Sequence, residues 1–500
     1  MKPTQEQQNI INTIKKDSCK LLAIEALAGT GKTSVLKMIV NELKPKKGLY
    51  LSFNKSVAVE AQQSFPSTIL CSTIHSFAYK YTVKNMNSSI MFFGYKNITE
   101  PISFESKILL IEAIDEFLLS KYTKIDNFIN DNKDKFAAIN RGIHFVTAEN
   151  IFEKYIKQIV SGSNGITHNG YLKLFHMMLD SGEMKIPEFD FIAIDECQDV
   201  SAATFEVFKL LKSNKKIIVG DRNQSLYSFT HCINGFEDKY IIDNAEKCPI
   251  TKTYRCSPEI AEKVELFMQY HLQNPNFHFE GTEPANKEIK TLMYISRTNS
   301  AMIETIINLI RNKQKFKLLR DPKSVFDLVM ILLNLKENCK IYSQEWRHLT
   351  DDVKEFYHVF NNVPKEERKK KDFPDTPLQY IARKYTNDIQ IKSAIKIITE
   401  QNMYEIYNAY EYTKKHFNDK SDFNIFVTTL FTSKGLDADK VILNSDINAL
   451  VEKLKSKKLN SYNQDDINMI YMIYVACTRA KKELTGANFL DELMKVLKER

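Results

Sequence analysis

The sequence predicts an α/β chain with two parallel-sheet cores, each interrupted by a mainly helical segment. Three observations carry that expectation. Short apolar runs alternate with helix-patterned stretches over the first 80 residues, which is the βαβ rhythm of a parallel sheet. Runs of the same kind return at FDFIAID (189–195), KKIIVGD (215–221), FNIFVTTLF (423–431) and KVILNSD (440–446). At 500 residues the chain is also too long for one hydrophobic core, since a domain takes roughly 150 residues.

The elements follow in order. KLLAIEA (20–26) and GLYLSF (48–53) read as buried strands, each followed by a helix. Residues 81–165 turn helical and polar, with Asn- and Lys-rich turns. The stretch 251–335 is mixed and ends in FDLVMILLNL from Phe326, which reads as a buried helix. That run is the longest apolar one, yet only about half of the roughly 20 residues that span a bilayer. From 336 to 424 the chain is helical and charged. Its KEERKKK (365–371) reads as a solvated face, with nucleic-acid contact as the alternative. A helix over MIYVACTRAKKEL (472–484) nearly closes the chain. The expected division is 1–80 with 166–250, then 251–335 with 425–500, and two helical inserts at 81–165 and 336–424.

Composition narrows the class. Hydrophobic residues at 43% and charged residues at 26% are ordinary for a globular protein. The N-terminus, MKPTQEQQNI, lacks the apolar core of a signal peptide. A simple secreted or membrane protein is excluded on these grounds. A cytoplasmic place is expected, or a nuclear one in a eukaryote. Lys+Arg 70 against Asp+Glu 62 leaves +8, which permits a nucleic-acid partner without demanding one. None of the 8 cysteines has C-x-x-C spacing, so reduced buried thiols are expected rather than a zinc ribbon.

The chemistry starts at Ala26–Thr33, A-L-A-G-T-G-K-T, just after a strand and opening a helix. This is the setting of a phosphate-binding loop. Gly29 and Gly31 let backbone N–H groups turn inward, and the helix N-terminus adds partial positive charge. Ala28, Gly29, Thr30 and Gly31, with Lys32, Thr33 and Ser34 at the helix start, are the candidate phosphate contacts. Lys32 would reach the β/γ-phosphates, and the Thr33 hydroxyl would face Mg²⁺. Ala26 stands where the strict pattern has its first glycine. Phe191–Asp199, F-I-A-I-D-E-C-Q-D, supplies a strand ending in two acids. Asp195 is the metal-side candidate and Glu196 the candidate general base.

With both halves of that site in hand, a resemblance emerges. D-E-C-Q-D resembles the D-E-x-Q-D box of superfamily 1A helicases, the UvrD/Rep type. The other segments resemble that family's motifs in order, from residue 3 to residue 484. P-T-Q-E-Q-Q (3–8) is similar to the glutamine motif, S-F-N-K (52–55) to motif Ia, and S-T-I-H-S-F-A (72–78) to the T-x-H-S motif. V-G-D-R-N-Q-S-L-Y-S-F (219–229) resembles motif III and T-Y-R-C-S-P (253–258) motif IV. T-L-F-T-S-K-G-L-D (429–437) resembles motif V, and Y-V-A-C-T-R-A-K-K-E-L (474–484) motif VI. S-R-T-N (296–299) sits where the family often has R-T-N. The run after motif Ia leans toward the F-box helicases and related phage or bacterial enzymes.

The resemblance implies two RecA-like lobes of the P-loop NTPase class, with ATP between them and inserts 1B and 2B in the second and fourth segments. It implies an ATP-dependent DNA helicase or translocase moving 3′→5′ on single-stranded DNA. Its partners would be single-stranded DNA, duplex junctions and recombination or replication proteins, and it would work as a monomer. Gln7 would face adenine, Tyr254 would stack on it, and Asp437 would reach the ribose. Gln224 would sense the γ-phosphate, with Arg255 and Arg479 as arginine fingers. Phe53, Tyr227 and Phe229 would stack on bases, with Asn54, Thr73 and His75 as polar DNA contacts. Three departures stand out. Phe431 replaces a usual His, Asp437 a usual Glu, and Thr230 an arginine often found in motif III. With 16 residues after Leu484, no nuclease domain is expected to follow. Two other readings stay open: a translocase that strips proteins from DNA, and a non-catalytic subunit using the fold as a nucleotide switch.

Overall fold

A computed structural model describes residues 3–52, 54–86, 88–143, 146–226, 231–336, 376–385 and 388–498. The chain falls into two compact units, Met1–Thr251 and Lys252–Arg500. Each is a RecA-like core: a parallel sheet with helices on both faces.

The first unit contains β1 (Leu21–Ala26), β2 (Gly48–Ser52), β3 (Ile69–Thr73), β4 (Phe189–Ile194), β5 (Val200–Ser201), β6 (Ser213–Gly220), β7 (Cys232–Ile233) and β8 (Glu246–Ile250). Six of them form one sheet in the order β3-β2-β4-β6-β1-β8, with every pairing parallel. The apolar runs are continuous because both faces are covered. Their period of two sends neighbours to opposite sides. Leu21 and Ala23 join the cluster with Phe77, Phe175, Phe205 and Phe208. Leu22, Ile24 and Ala26 join Ile10, Val35, Leu36 and Ile39 on the other face.

Residues 98–159 carry a separate core in this unit. It is built on the helices Phe104–Leu119, Ile125–Asp131, Lys133–Asn140 and Ala148–Ser161. Phe117, Phe128, Phe136 and Phe152 pack ring on ring, with Phe136 and Phe152 centroids 5.1 Å apart. The polar helical stretch of the sequence is therefore polar only on its outer faces.

The second unit contains β9 (Leu292–Ser296), β10 (Lys317–Leu318), β11 (Ile425–Thr429), β12 (Ala438–Leu443) and β13 (Ala480–Thr485). They form a parallel sheet in the order β10-β11-β9-β12-β13. Residues Phe326–Leu335 lie in the helix Pro322–Lys336, whose Phe326, Leu332 and Leu333 are wholly buried. That helix shares a core with Asn299–Arg311, Ile389–Glu400 and Met403–His416.

One sequence expectation fails here. The helix expected over 472–484 does not run that far: it spans Gln464–Cys477, Ala480–Thr485 is the edge strand β13, and a further helix, Asn488–Lys498, follows. The reason is local. The Thr478 hydroxyl donates to the Tyr474 and Val475 carbonyls and closes the last turn, after which β12 offers a partner edge. The basic run 365–371 lies outside the described residues. The described cysteines are all free, and Cys19, Cys197, Cys256 and Cys477 are buried. Among the described residues no helix is long and apolar enough to cross a membrane.

Candidate nucleotide site

The phosphate loop joins β1 to the helix Lys32–Leu43. Gly29 (φ 72°) and Gly31 (φ 86°) occupy the left-handed region, which a side chain at either position would strain. Buried Thr30 braces the turn by donating from its hydroxyl to the Leu27 carbonyl at 2.8 Å. Gly31 is the N-cap and brings no side-chain acceptor. The first N–H groups of the helix are therefore left to an external anion. Ala26 is a fully buried strand residue at the sheet end, so the methyl replacing glycine packs in the core. Ala28 is buried in the loop, while Thr33 and Ser34 are exposed at the helix start.

The acids come from the end of β4, two strands away from β1 across β6. Lys32 Nζ lies 2.6 Å from Glu196 Oε1, which brings the start of the loop helix against the end of β4. Burial disfavours the Lys32 ammonium, but Glu196 and Asp195 outweigh it and hold its pKa above the ordinary value. Glu196 sits in the left-handed region at φ 52°, an uncommon place for a non-glycine residue. Its Oε2 accepts a 2.5 Å hydrogen bond from Gln198 Nε2. Gln198 Oε1 in turn accepts from the Asp221 backbone N–H at 3.2 Å. Asp221 Oδ2 accepts from Gln224 Nε2 at 2.8 Å. One polar chain thus runs from Lys32 through Glu196, Gln198 and Asp221 to Gln224. Gly220 makes it possible: a Cβ there would stand 2.2 Å from Gln198 Oε1 and 3.0 Å from the Cys197 nitrogen.

Asp195 is buried beside this chain. Its Oδ1 accepts the Glu196 N–H at 2.9 Å, and its Oδ2 accepts the Tyr50 hydroxyl at 2.5 Å. Burial and the neighbouring Glu196 raise its pKa, with Lys32 and Tyr50 opposing. Burial, then Asp195, pushes the Tyr50 phenol far up, so it remains a donor.

In the second unit the two candidate arginines share one corner. The Arg255 guanidinium lies 3.4 Å from Asp437 and donates to the Thr478 carbonyl at 3.4 Å. Lys481 also pairs with Asp437, so the carboxylate assigned to ribose is already engaged by two cations. Arg479 is 1% exposed. It donates to the Val475 carbonyl at 2.9 Å, the Leu436 carbonyl at 3.3 Å and the Thr478 hydroxyl at 3.2 Å. Burial, then Arg255, lowers its pKa to about 9, which still leaves it charged at neutral pH. The Tyr254 ring is 53% exposed and open to stacking.

The remaining sequence candidates divide. Gln7 is buried, and its Oε1 accepts the Thr4 N–H at 3.0 Å in a capping box. Asn54 caps the helix Lys55–Ser64 by accepting from Val57, and Thr73 caps Ile74–Tyr81 by accepting from Ser76. Local geometry thus already employs two of the three polar DNA candidates. His75 lies 3.4 Å from Asn169 and 6.0 Å from the Tyr171 ring, and burial holds its pKa low. Phe53, Tyr227 and Phe229 lie outside the described residues. Sequence reasoning missed Tyr50, Gln198 and Asp221. The last two stand inside quoted motifs and could have been found. Tyr50 is one apolar-run residue among several, and nothing local marks it.

Among the described residues no cluster of three or more His, Cys, Asp or Glu forms a metal site by itself. Thr33 and Asp195 flank the Lys32–Glu196 contact and offer hard oxygens. That set suits Mg²⁺, which takes one or two protein ligands beside substrate phosphates.

Comparison with known proteins agrees with this geometry. Residues 4–240 match the model of the UvrD/REP helicase N-terminal domain. F-box DNA helicase 1 of Gallus gallus is 24% identical, over 99% of this chain and 50% of its own length. F-box DNA helicase protein 1 of Schizosaccharomyces pombe is 23% identical, over 96% and 57% respectively. A probable DNA helicase II homolog of Mycoplasma genitalium is 24% identical over 47% of this chain and 38% of its own. The chain spans about half the length of the F-box relatives it matches.

Proposed function

From a chain whose residues 4–240 match the UvrD/REP helicase N-terminal domain, we propose an ATP-dependent DNA helicase. It moves 3′→5′ on single-stranded DNA and unwinds duplex. The observation that carries this reading is the polar chain from Lys32 to Gln224, with an uncapped helix N-terminus at its head. It supports a site that binds a triphosphate and senses its terminal group.

In this reading the loop N–H groups and Lys32 hold the β/γ-phosphates. ATP entering would draw Lys32 off Glu196 and free that carboxylate to take a proton from the attacking water. Gln198 and Asp221 then carry the position of Glu196 to Gln224. Thr33 and Asp195 hold Mg²⁺, which supplies positive charge to the phosphate oxygens. Arg255 and Arg479 stabilise charge on the leaving γ-phosphate, an effect worth roughly 10³–10⁵ in rate. Gln7 and Tyr254 bind adenine, and Asp437 reaches the ribose after giving up one of its cations. Phe53, Asn54, Thr73, His75, Tyr227 and Phe229 bind single-stranded DNA. The inserts are 81–165 and 336–424.

The test is ATP hydrolysis by the full chain with and without single-stranded DNA, beside unwinding of a 3′-tailed duplex. Lys32→Ala is expected to abolish hydrolysis. Glu196→Gln is expected to keep nucleotide binding and lose turnover by orders of magnitude. Near-normal turnover in Glu196→Gln would reject the general base. Absence of DNA-stimulated hydrolysis in the unaltered chain would reject the enzyme.

A further inference from the structure

We propose that Tyr50 is the positioning residue of Asp195: its hydroxyl fixes the carboxylate on the metal side of the nucleotide site. The inference rests on the role given to Asp195 above and goes beyond it, because Tyr50 belongs to none of the motifs.

Tyr50 lies in the middle of β2, directly opposite Ala193 of β4. Its side chain is wholly buried, with the ring against Phe65 at 5.3 Å between centroids. The register of β2 on β4 brings the hydroxyl to the first residue beyond β4. There Asp195 is held by its own N–H, which donates to the Leu51 carbonyl at 2.9 Å. The carboxylate is then gripped on both oxygens, by the Glu196 N–H and by the Tyr50 hydroxyl. Two donors, one from β2 and one from the turn after β4, fix the orientation of the group. One lone pair on each oxygen remains for a cation. A ligating carboxylate held this way is the usual outer-shell arrangement of a metal site.

The experiment uses the full chain, a fluorescent ADP analogue and Mg²⁺ as the titrant, with melting temperature measured in parallel. Tyr50→Phe keeps the ring and deletes only the hydroxyl. We expect its Mg²⁺ half-saturation for nucleotide binding to rise roughly tenfold, the low end for losing an outer-shell partner. Binding without Mg²⁺ should stay near the parent value, the melting temperature should fall by no more than the loss of one buried hydrogen bond explains, and excess Mg²⁺ should restore hydrolysis. Phe65→Leu disturbs the same packing but spares the hydroxyl. It should lower the melting temperature and leave the Mg²⁺ dependence unchanged. An unchanged half-saturation in Tyr50→Phe, or an equal shift in Phe65→Leu, overturns the proposal. Asp195→Asn separates the two levels. If it leaves the Mg²⁺ dependence untouched, the metal-side reading of Asp195 fails and Tyr50 falls with it. If Asp195→Asn shifts the dependence and Tyr50→Phe does not, only the Tyr50 inference fails.

Discussion

Arg479 carries two burdens. Its guanidinium satisfies the Val475 and Leu436 carbonyls inside the second unit, and it is also proposed to act on the γ-phosphate. A buried carbonyl left without a donor costs about 1–3 kcal/mol. Arg479→Ala is therefore expected to lower stability by about that much in urea, besides losing hydrolysis. Nucleotide affinity should fall only slightly, because transition-state charge is what the group would serve. A fall in binding as large as the fall in turnover would make Arg479 a ground-state ligand. Asp437 sits in the same corner. Its two cationic partners mean that Asp437→Asn should release Arg255 and Lys481, not merely remove a ribose contact.

At the scale of elements, the close approach of β6 to the segment after β4 decides the site. Gly220→Ala would drive a methyl into Gln198 and the Cys197 backbone. We expect the Gln198–Asp221 link to break, with nucleotide binding retained and DNA-stimulated hydrolysis sharply reduced. Steady-state rates and a nucleotide titration on one preparation would check it. The helix Pro258–His271 offers a pH test. Buried His271 touches Tyr462 through a 3.0 Å hydrogen bond, and burial lowers its pKa from 6.5 to about 4. Unfolded, the ring takes a proton near 6.5; folded, it resists until about 4. Its share of stability is therefore complete above 6.5 and is lost as pH falls toward 4. A shift of that size is worth roughly 3 kcal/mol. His271→Leu should flatten the urea midpoint of the second unit over that pH window, and a midpoint that still falls there would refute the assignment.

At the scale of the whole molecule, the residues proposed to act on the nucleotide are drawn from both units of the chain. Lys32, Asp195, Glu196, Gln198, Asp221 and Gln224 belong to the first, and Arg255 and Arg479 to the second. Binding should then follow the first unit and turnover should require both. Arg255→Ala is expected to bind a fluorescent nucleotide within a few-fold of the unaltered chain while hydrolysing it at least roughly 10³-fold more slowly. Equal loss of binding would place Arg255 in the ground-state site.

What the sequence by itself determined was whatever depends on neighbours in the chain. Apolar runs bounded by helix patterns marked β1, β2, β4, β6, β11 and β12, because a strand buried on two faces is mostly apolar; β3, β8, β9 and β10 were not read as strands, and β13 was read as helix. The phosphate loop was legible at Gly29–Thr33, since left-handed turns and an uncapped helix start need glycine at set spacing. The acids at 195 and 196 were legible because they end a core strand. Two things were decided only by the tertiary structure. Where the helix Gln464–Cys477 stopped depended on the edge of β12 that Ala480–Thr485 joins. Which groups hold the acids depended on strands far apart in the chain: Tyr50 meets Asp195 across 145 residues, and Asp221 meets Gln198 across 23. A hydrogen bond between strands is specified by register and packing, and no local spacing in the sequence records either.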